Sequence, residues 1–205
     1  MRRTAGAVGA ALAAAVLVLS GCSPDAAPKA GGSGVDVDTP ALRTAKAETR
    51  IPDCAAGSAE PATDGLPAIT LPCLGGGADV DLSTLRGPMI VNLWASWCGP
   101  CRRELPIYQK FFEDHGDEVS VLGVDWQDVQ PGAALDLAAT SGVTYPLLAD
   151  PDDSLSGQGA IPRIGGLPFL AVVDADGTVV HREFVEITSE QQLVDLVNDA
   201  LGTDL

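Results

Sequence analysis

Positive charge is scarce in this chain. Twelve lysines and arginines stand against 28 aspartates and glutamates, for a formal net charge of −16. A phosphate backbone would be repelled, which excludes nucleic acid as a partner. Histidine is scarcer still: His115 and His181 stand isolated and read as surface positions rather than ligands. Only one Cys-x-x-Cys occurs, so a zinc site would lack two ligands, and no metal is expected. Arg102 follows its second cysteine where covalent haem attachment requires histidine. There is no internal repeat. With 205 residues, 46% of them hydrophobic, the chain can build one domain with a sizeable core plus appendages, but not two full domains.

What is present centres on Val91-Asn92-Leu93-Trp94-Ala95-Ser96-Trp97-Cys98-Gly99-Pro100-Cys101. An apolar run reads as a buried strand, two cysteines bracket Gly-Pro, and a helical pattern follows. A Cys-x-x-Cys at a strand-to-helix junction marks a dithiol/disulfide redox site. Cys98 would sit at a helix N-terminus, where unpaired N–H groups and the positive end of the dipole favour thiolate. Cys101, one turn on, would be close enough to resolve a mixed disulfide. Pro100 suits a first helical turn, and Gly99 is expected to let the chain turn tightly beside the sulfurs. Trp97 reads as docking surface and Trp94 as core.

The start of the chain has a targeting pattern. Arg2-Arg3 precedes an apolar stretch from Val8 to Leu19, too short to span a bilayer comfortably. It ends in Leu19-Ser20-Gly21-Cys22, which resembles the lipobox of bacterial lipoproteins. That resemblance implies a signal peptide over 1–21 and a lipid on Cys22; an uncleaved anchor and an ordinary secretory signal are the other readings. Residues 22–50 are Pro-, Ala-, Gly- and Asp-rich and read as a flexible tether with a reach on the order of 30 Å. A domain over 51–205 follows. Of five cysteines, Cys54 and Cys73 are left over. Outside the cytoplasm such a pair most often forms a structural disulfide, and a loop of about 20 residues makes that worth about 3 kcal/mol. Two unpaired thiols and a second redox pair are the alternatives.

The predicted elements are a short hairpin (Ile69–Leu74, returning at Val80 and Leu82), a central strand Met89–Trp94, and a helix from Cys98 to about His115 that Pro106 should kink. A strand Val119–Val124, a helix Pro131–Ser141, a strand Tyr145–Leu148 and an irregular stretch from Asp150 come next. A hairpin of Phe169–Val173 with Thr178–Phe184 precedes a last helix, Ser189–Leu201, capped by Thr188 or Ser189. Asp125, Asp128, Asp150, Asp152 and Asp153 read as solvated loop acids. The order predicts an α/β fold with a mixed sheet between helices.

From about Leu66 to Leu201 the chain resembles the thioredoxin-fold family, in its membrane-tethered TlpA/ResA/CcmG (DsbE-like) branch. The carriers are Leu82-Ser83-Thr84-Leu85-Arg86-Gly87, the Trp-Ala-Ser-Trp-Cys-Gly-Pro-Cys run, Glu104 with Pro106, and Leu167-Pro168. The resemblance implies a thioredoxin-like fold with an N-terminal β-hairpin extension. It implies Cys98 as exposed nucleophile, Cys101 as buried resolving thiol, and Pro168 as a cis-proline facing them. Leu167 would offer its backbone to a substrate strand. Glu104 would be a functional glutamate helping to move the Cys101 proton, whereas Asn92, where thioredoxin has a buried aspartate, cannot carry one. Phe169-Leu170 after the proline suggest an apolar groove. No cofactor is implied beyond the Cys98–Cys101 disulfide. The implied activity is thiol–disulfide exchange by a lipid-anchored monomer on the outer face of a bacterial cell membrane. It would reduce exported proteins such as apocytochrome c or copper-site assembly proteins, with electrons from a DsbD/CcdA-type donor. An oxidant of secreted proteins and a metal-handling docking module are the alternatives.

Overall fold

The computed structural model describes Met1 and residues 33–205. The signal segment, Cys22 and the first part of the tether lie outside the described residues. Among those described, no helix is long and apolar enough to cross a membrane.

Strand β3 (Met89–Trp94) is buried at every position, as expected of a central strand covered on both faces. It pairs in parallel with β4 (Ser120–Trp126) and antiparallel with β6 (Phe169–Val173). Strand β5 (Leu147–Asp150) extends the sheet beside β4, and β7 (Val179–Glu183) closes the other side, giving the order β5-β4-β3-β6-β7. The two-residue alternation of a strand divides the core into two layers. Ile90 and Trp94 of β3 face a cluster with Leu105, Tyr108 and Phe111 of helix α2 (Gly99–His115) and Leu193 and Val197 of α4 (Glu190–Leu201). Met89, Val91 and Leu93 face Leu71, Leu82, Leu155, Ile161 and Phe169. A short antiparallel pair, β1 (Thr70–Leu71) with β2 (Val80–Asp81), forms the predicted hairpin extension, and α3 (Pro131–Thr140) connects β4 to β5. This is the thioredoxin-like fold.

Two glycines are required by close approach. Any side chain at Gly123 would meet Leu147 Cδ2 at 2.5 Å and the Trp94 indole nitrogen at 3.0 Å. At Gly87 a Cβ would overlap the carbonyl oxygens of Val173 and Asp174, so the Arg86-Gly87 pair lets the chain pass β6 into the central strand. Gly87→Ala is expected to cost about 1–3 kcal/mol by overpacking, measured by urea denaturation; an unchanged midpoint would show that the loop relaxes freely.

Several elements depart from the sequence reading. Residues 33–50 are not a free tether. Thr39 caps helix α1 (Pro40–Ala47) through Oγ1, which accepts from Leu42 N at 3.2 Å, and Val37, Leu42 and Lys46 are buried. Eight residues do not hold a helix alone in water; docking of these few residues holds α1, and so sparse an apolar set left no periodic trace. Strand β4 runs two residues past its predicted end, which puts Asp125 and Trp126 inside the sheet. Asp125, Asp128 and Asp150 are therefore buried, not solvated. Asp150 accepts from the backbone of Ser154 and Leu155 at 2.8 and 2.9 Å, and Asp153 accepts from the Trp126 indole at 2.8 Å, so these acids organise the irregular stretch. Helix α2 does end at His115 as expected, with Pro106 inside it. Of the two candidate caps for α4, Ser189 is the one used.

Candidate active site

Cys98 is the N-cap of α2, with extended backbone, and its Sγ accepts from the Cys101 backbone N–H at 3.2 Å. The two cysteines are bonded to each other across the first turn, their Cα atoms 5.3 Å apart. Cys98 is 4% exposed and Cys101 1%. The order of accessibility follows the expected division of roles, but Cys98 is far from openly exposed, because in the disulfide its sulfur is turned towards the helix. Gly99 is exposed and a Cβ there would meet nothing within 4 Å. It is not needed for a tight turn; its lack of a side chain leaves the approach to the sulfurs bare. Pro100 occupies the first helical turn, where it forfeits no intrahelical bond.

The loop before the cysteines is tied down by residues the sequence reading set aside. Asp128 Oδ2 accepts from Ser96 N at 2.7 Å and its Oδ1 from Gln130 N at 2.8 Å. The half-exposed Trp97 donates its indole N–H to the Gln127 carbonyl at 3.1 Å. Asp125, in register with Trp94 at the end of β3, is buried and finds no protein donor for either oxygen. Burial, then the neighbouring Asp128 charge, pushes its pKa well above the usual carboxylate range. The signal was present as Asp125-x-x-Asp128 immediately after a strand, but only the extra length of β4 places it beside the active-site loop. Asp128→Ala is expected to lose about 1–3 kcal/mol, since it strands the buried Ser96 N–H. Thermal melts test this, and an unaltered midpoint would mean that Asp128 does not hold the loop.

Glu104 is fully buried on the face of α2 that carries Cys101. Oε1 accepts from the Ile187 backbone N–H, and Oε2 has no protein partner. Burial, more than the nearby Glu186 charge, pushes its pKa up to about 7. Below it, Tyr108 and Tyr145 are also buried, and both phenols are pushed up by burial and then by the charge of Glu104. Asn92 lies in the same layer with neither side-chain atom paired within the protein.

The Leu167-Pro168 peptide bond is cis, and so is Gly87-Pro88, which nothing in the sequence reading singled out. Leu167 packs against the cluster that contains Cys98 and Cys101. A cleft of about 450 Å³ runs past Leu167 and Pro168, walled by Arg163, Gly166, Phe184 and Glu186. Arg103 of α2 binds Glu186 Oε1 through Nε and Nη2 at 2.9 and 2.6 Å, joining this wall to the first turns after the cysteines. Phe169 and Leu170 are buried in β6 and do not line the groove. Its apolar wall is Phe184, half exposed and packed on Phe169 at 4.8 Å between ring centroids.

Residues 62–182 match the family described as AhpC/TSA, more than half of the chain. The chain belongs to the AhpC/TSA family. Among curated relatives, the thiol-disulfide oxidoreductase ResA of Bacillus anthracis is 30% identical over 120 residues, 56% of this chain and 65% of that protein. The thiol:disulfide interchange protein HelX of Rhodobacter capsulatus is 36% identical over 119 residues, 57% of this chain and 64% of that one. The matched span is thus just under two thirds of these relatives. A solved DsbF homologue from Corynebacterium diphtheriae is 27% identical, with a TM-score of 0.59 over 67% of this chain and 86% of its own. In this chain the Cys98–Cys101 pair stands at the N-terminus of α2, Glu104 follows on the helix face of Cys101, and Leu167, next to Pro168, packs on the cluster that holds both cysteines.

Proposed function

We propose that this protein is a thiol–disulfide oxidoreductase that reduces disulfides of exported proteins. The observation that carries this reading is the Cys98–Cys101 bond across the first turn of α2, with Cys98 as N-cap. In the reduced protein, the N–H of Cys101 and the helix dipole stabilise the Cys98 thiolate. That thiolate attacks a substrate disulfide, the substrate's other sulfur leaves, and a mixed disulfide forms on Cys98. Cys101, losing its proton to the Glu104 carboxylate, attacks Cys98 and releases the second substrate thiol. Two electrons have then passed to the substrate, and the site is the disulfide seen here. The substrate segment lies in the cleft beside Leu167 and Pro168, with Trp97 and Phe184 as apolar contacts.

The proposed setting is the outer face of the cell membrane, with a monomer held by a lipid on Cys22. Haem-attachment cysteines of apocytochrome c, or those of a copper-site assembly protein, are the proposed substrates, and a DsbD/CcdA-type membrane protein the proposed donor. The lipobox supports the lipid anchor, and the substrates and donor follow from the branch of the thioredoxin-fold family that the sequence motifs resemble. Equilibration of the pair with redox buffers tests the direction of flow. A potential at or below roughly −200 mV, in the range of thioredoxin and glutaredoxins, is expected; one near about −120 mV, as for DsbA, would make the protein an oxidant. Stoichiometric Cu(I) binding dependent on both cysteines, without disulfide turnover, would make it a metal-handling module.

A further inference from the structure

Around the second disulfide, donors and acceptors are divided unevenly between the two sulfurs. Cys54 and Cys73 are bonded, their Cα atoms 5.7 Å apart. Cys73 Sγ faces two donors: the Cys54 backbone N–H at 3.1 Å and the Lys46 ammonium at 3.3 Å. Cys54 Sγ instead faces the Leu147 carbonyl oxygen at 3.2 Å. Lys46 comes from α1 and is 4% exposed. It donates to the Gly76 carbonyl at 2.6 Å and pairs with Asp53 at 3.1 Å, whose own side chain is 80% exposed. Solvent screens that counter-ion, so much of the ammonium's field falls on Cys73. Burying an amine is costly, and a disulfide that only ties the chain together gains little from a cation aimed at one sulfur.

The accessibility of the pair parallels that of the active site. Cys54 is 6% exposed and Cys73 1%, against 4% for Cys98 and 1% for Cys101. Cys54 also lines an apolar cavity of about 360 Å³ with Ala55, Val80, Leu85 and Met89. Cys54 is thus the less buried of the two and borders a cavity, while Cys73 is surrounded by groups suited to a thiolate.

We propose that Cys54–Cys73 is a second exchangeable disulfide, opened by a dithiol that attacks Cys54 and expels Cys73 as a thiolate held by Lys46. The incoming thiolate bonds to Cys54 Sγ, and the electron pair of the broken S–S bond goes to Cys73. The reductant's second thiol, giving its proton to solvent, attacks the mixed disulfide. Cys54 then leaves, takes up a proton, and its S–H donates to the Leu147 carbonyl. The reductant ends as a disulfide, two electrons have entered the protein, and each new group has a partner already in place. The charged groups of this corner are Lys46, Asp53, and the Asp38–Arg43 ion pair over Gly76. The proposal does not depend on the activity of Cys98 and Cys101.

The test uses the full chain carrying Cys22→Ser, Cys98→Ser and Cys101→Ser. It is equilibrated with reduced and oxidised dithiothreitol, acid-quenched, alkylated and weighed by mass spectrometry. Reversible opening of Cys54–Cys73 with near-UV circular dichroism retained is expected. Lys46→Met should raise the ratio of reduced to oxidised dithiothreitol needed for half-reduction by about tenfold, one pKa unit of lost thiolate stabilisation. Opening only with loss of the near-UV signal overturns the proposal, as does an unchanged ratio in a folded Lys46→Met. Should Lys46→Met not fold, thiolate absorbance against pH in the reduced Lys46 protein decides: one thiol titrating well below about 8.5 supports the proposal, and two ordinary thiols overturn it.

Discussion

Cys98→Ser is expected to abolish disulfide exchange, and Cys101→Ser to turn the protein into a trap. The first substitution removes the sulfur at the N-cap of α2, the more accessible of the pair. Serine keeps the cap, because its hydroxyl still accepts from the Cys101 N–H, so stability should change little. The hydroxyl is not a thiolate at neutral pH, however, and turnover should fall roughly 10³-fold or more, to background. Cys101→Ser leaves the attack intact but removes the group that releases the product. A mixed disulfide on Cys98 should therefore accumulate and be visible on non-reducing gels, disappearing with dithiothreitol. Mass spectrometry of the adduct names the substrate directly. Turnover retained in Cys98→Ser, or an adduct carried elsewhere on the chain, would remove Cys98 from the chemistry.

Glu104→Gln should flatten part of the pH dependence of both stability and exchange. The folded-state pKa of Glu104, about 7, lies above its ordinary value of 4.5, so folding favours the protonated carboxyl. Its contribution to stability is then fully present below about pH 4.5 and is lost as pH rises to about 7. The loss is at most about 3.4 kcal/mol, for a rise from 4.5 to about 7. Glutamine keeps an acceptor for Ile187 and does not titrate, so the variant should gain on the parent protein across that window. Urea denaturation at pH 4.5, 6, 7 and 8 measures the difference. Asp125 and Asp150, whose pKa values are also raised by burial, act in the same direction in both proteins and cancel in the comparison. In exchange, the parent should show a kinetic ionisation near pH 7 that Glu104→Gln lacks, with release of product slowed on the order of 10²-fold, the lower range for general acid–base catalysis. Parallel stability curves for the two proteins would place the Glu104 carboxylate in solvent. An unchanged rate profile would deny it the proton of Cys101.

Most of the sheet was readable from local signals. Phe169–Val173 is apolar throughout and Met89–Trp94 apolar but for Asn92; glycine, proline and aspartate punctuate their ends, and both strands lie where those boundaries set them. Helix α2 could be placed from Gly-Pro at its first turn and from Leu105, Tyr108 and Phe112 at helical spacing. Polar residues were harder to place. Glu104 and Asp125 look alike in sequence to any surface acid, and whether each meets water depends on what packs over it. For Glu104 that cover is the segment entering α4, 83 residues away. For Asp125 it is two further residues of β4 pairing with β3 and β5. Docking of α1 was also illegible, since Val37 and Leu42 acquire meaning only within the cluster that includes Leu74 and Leu135, and Lys46 only against Gly76 and Cys73.

By itself, the sequence determined which two cysteines bracket the first turn of α2 and the helix that carries them. Cys98 and Cys101 are three residues apart, and strand, turn and helix signals that act over a few residues suffice to set their geometry. The tertiary structure alone decided the electrostatic surroundings: a Glu104 carboxyl raised towards neutrality under the segment entering α4, an aspartate clamping the loop before Cys98, and an ammonium against Cys73. Those depend on desolvation, which is set by neighbours distant in the chain and has no local signature in the residues that undergo it.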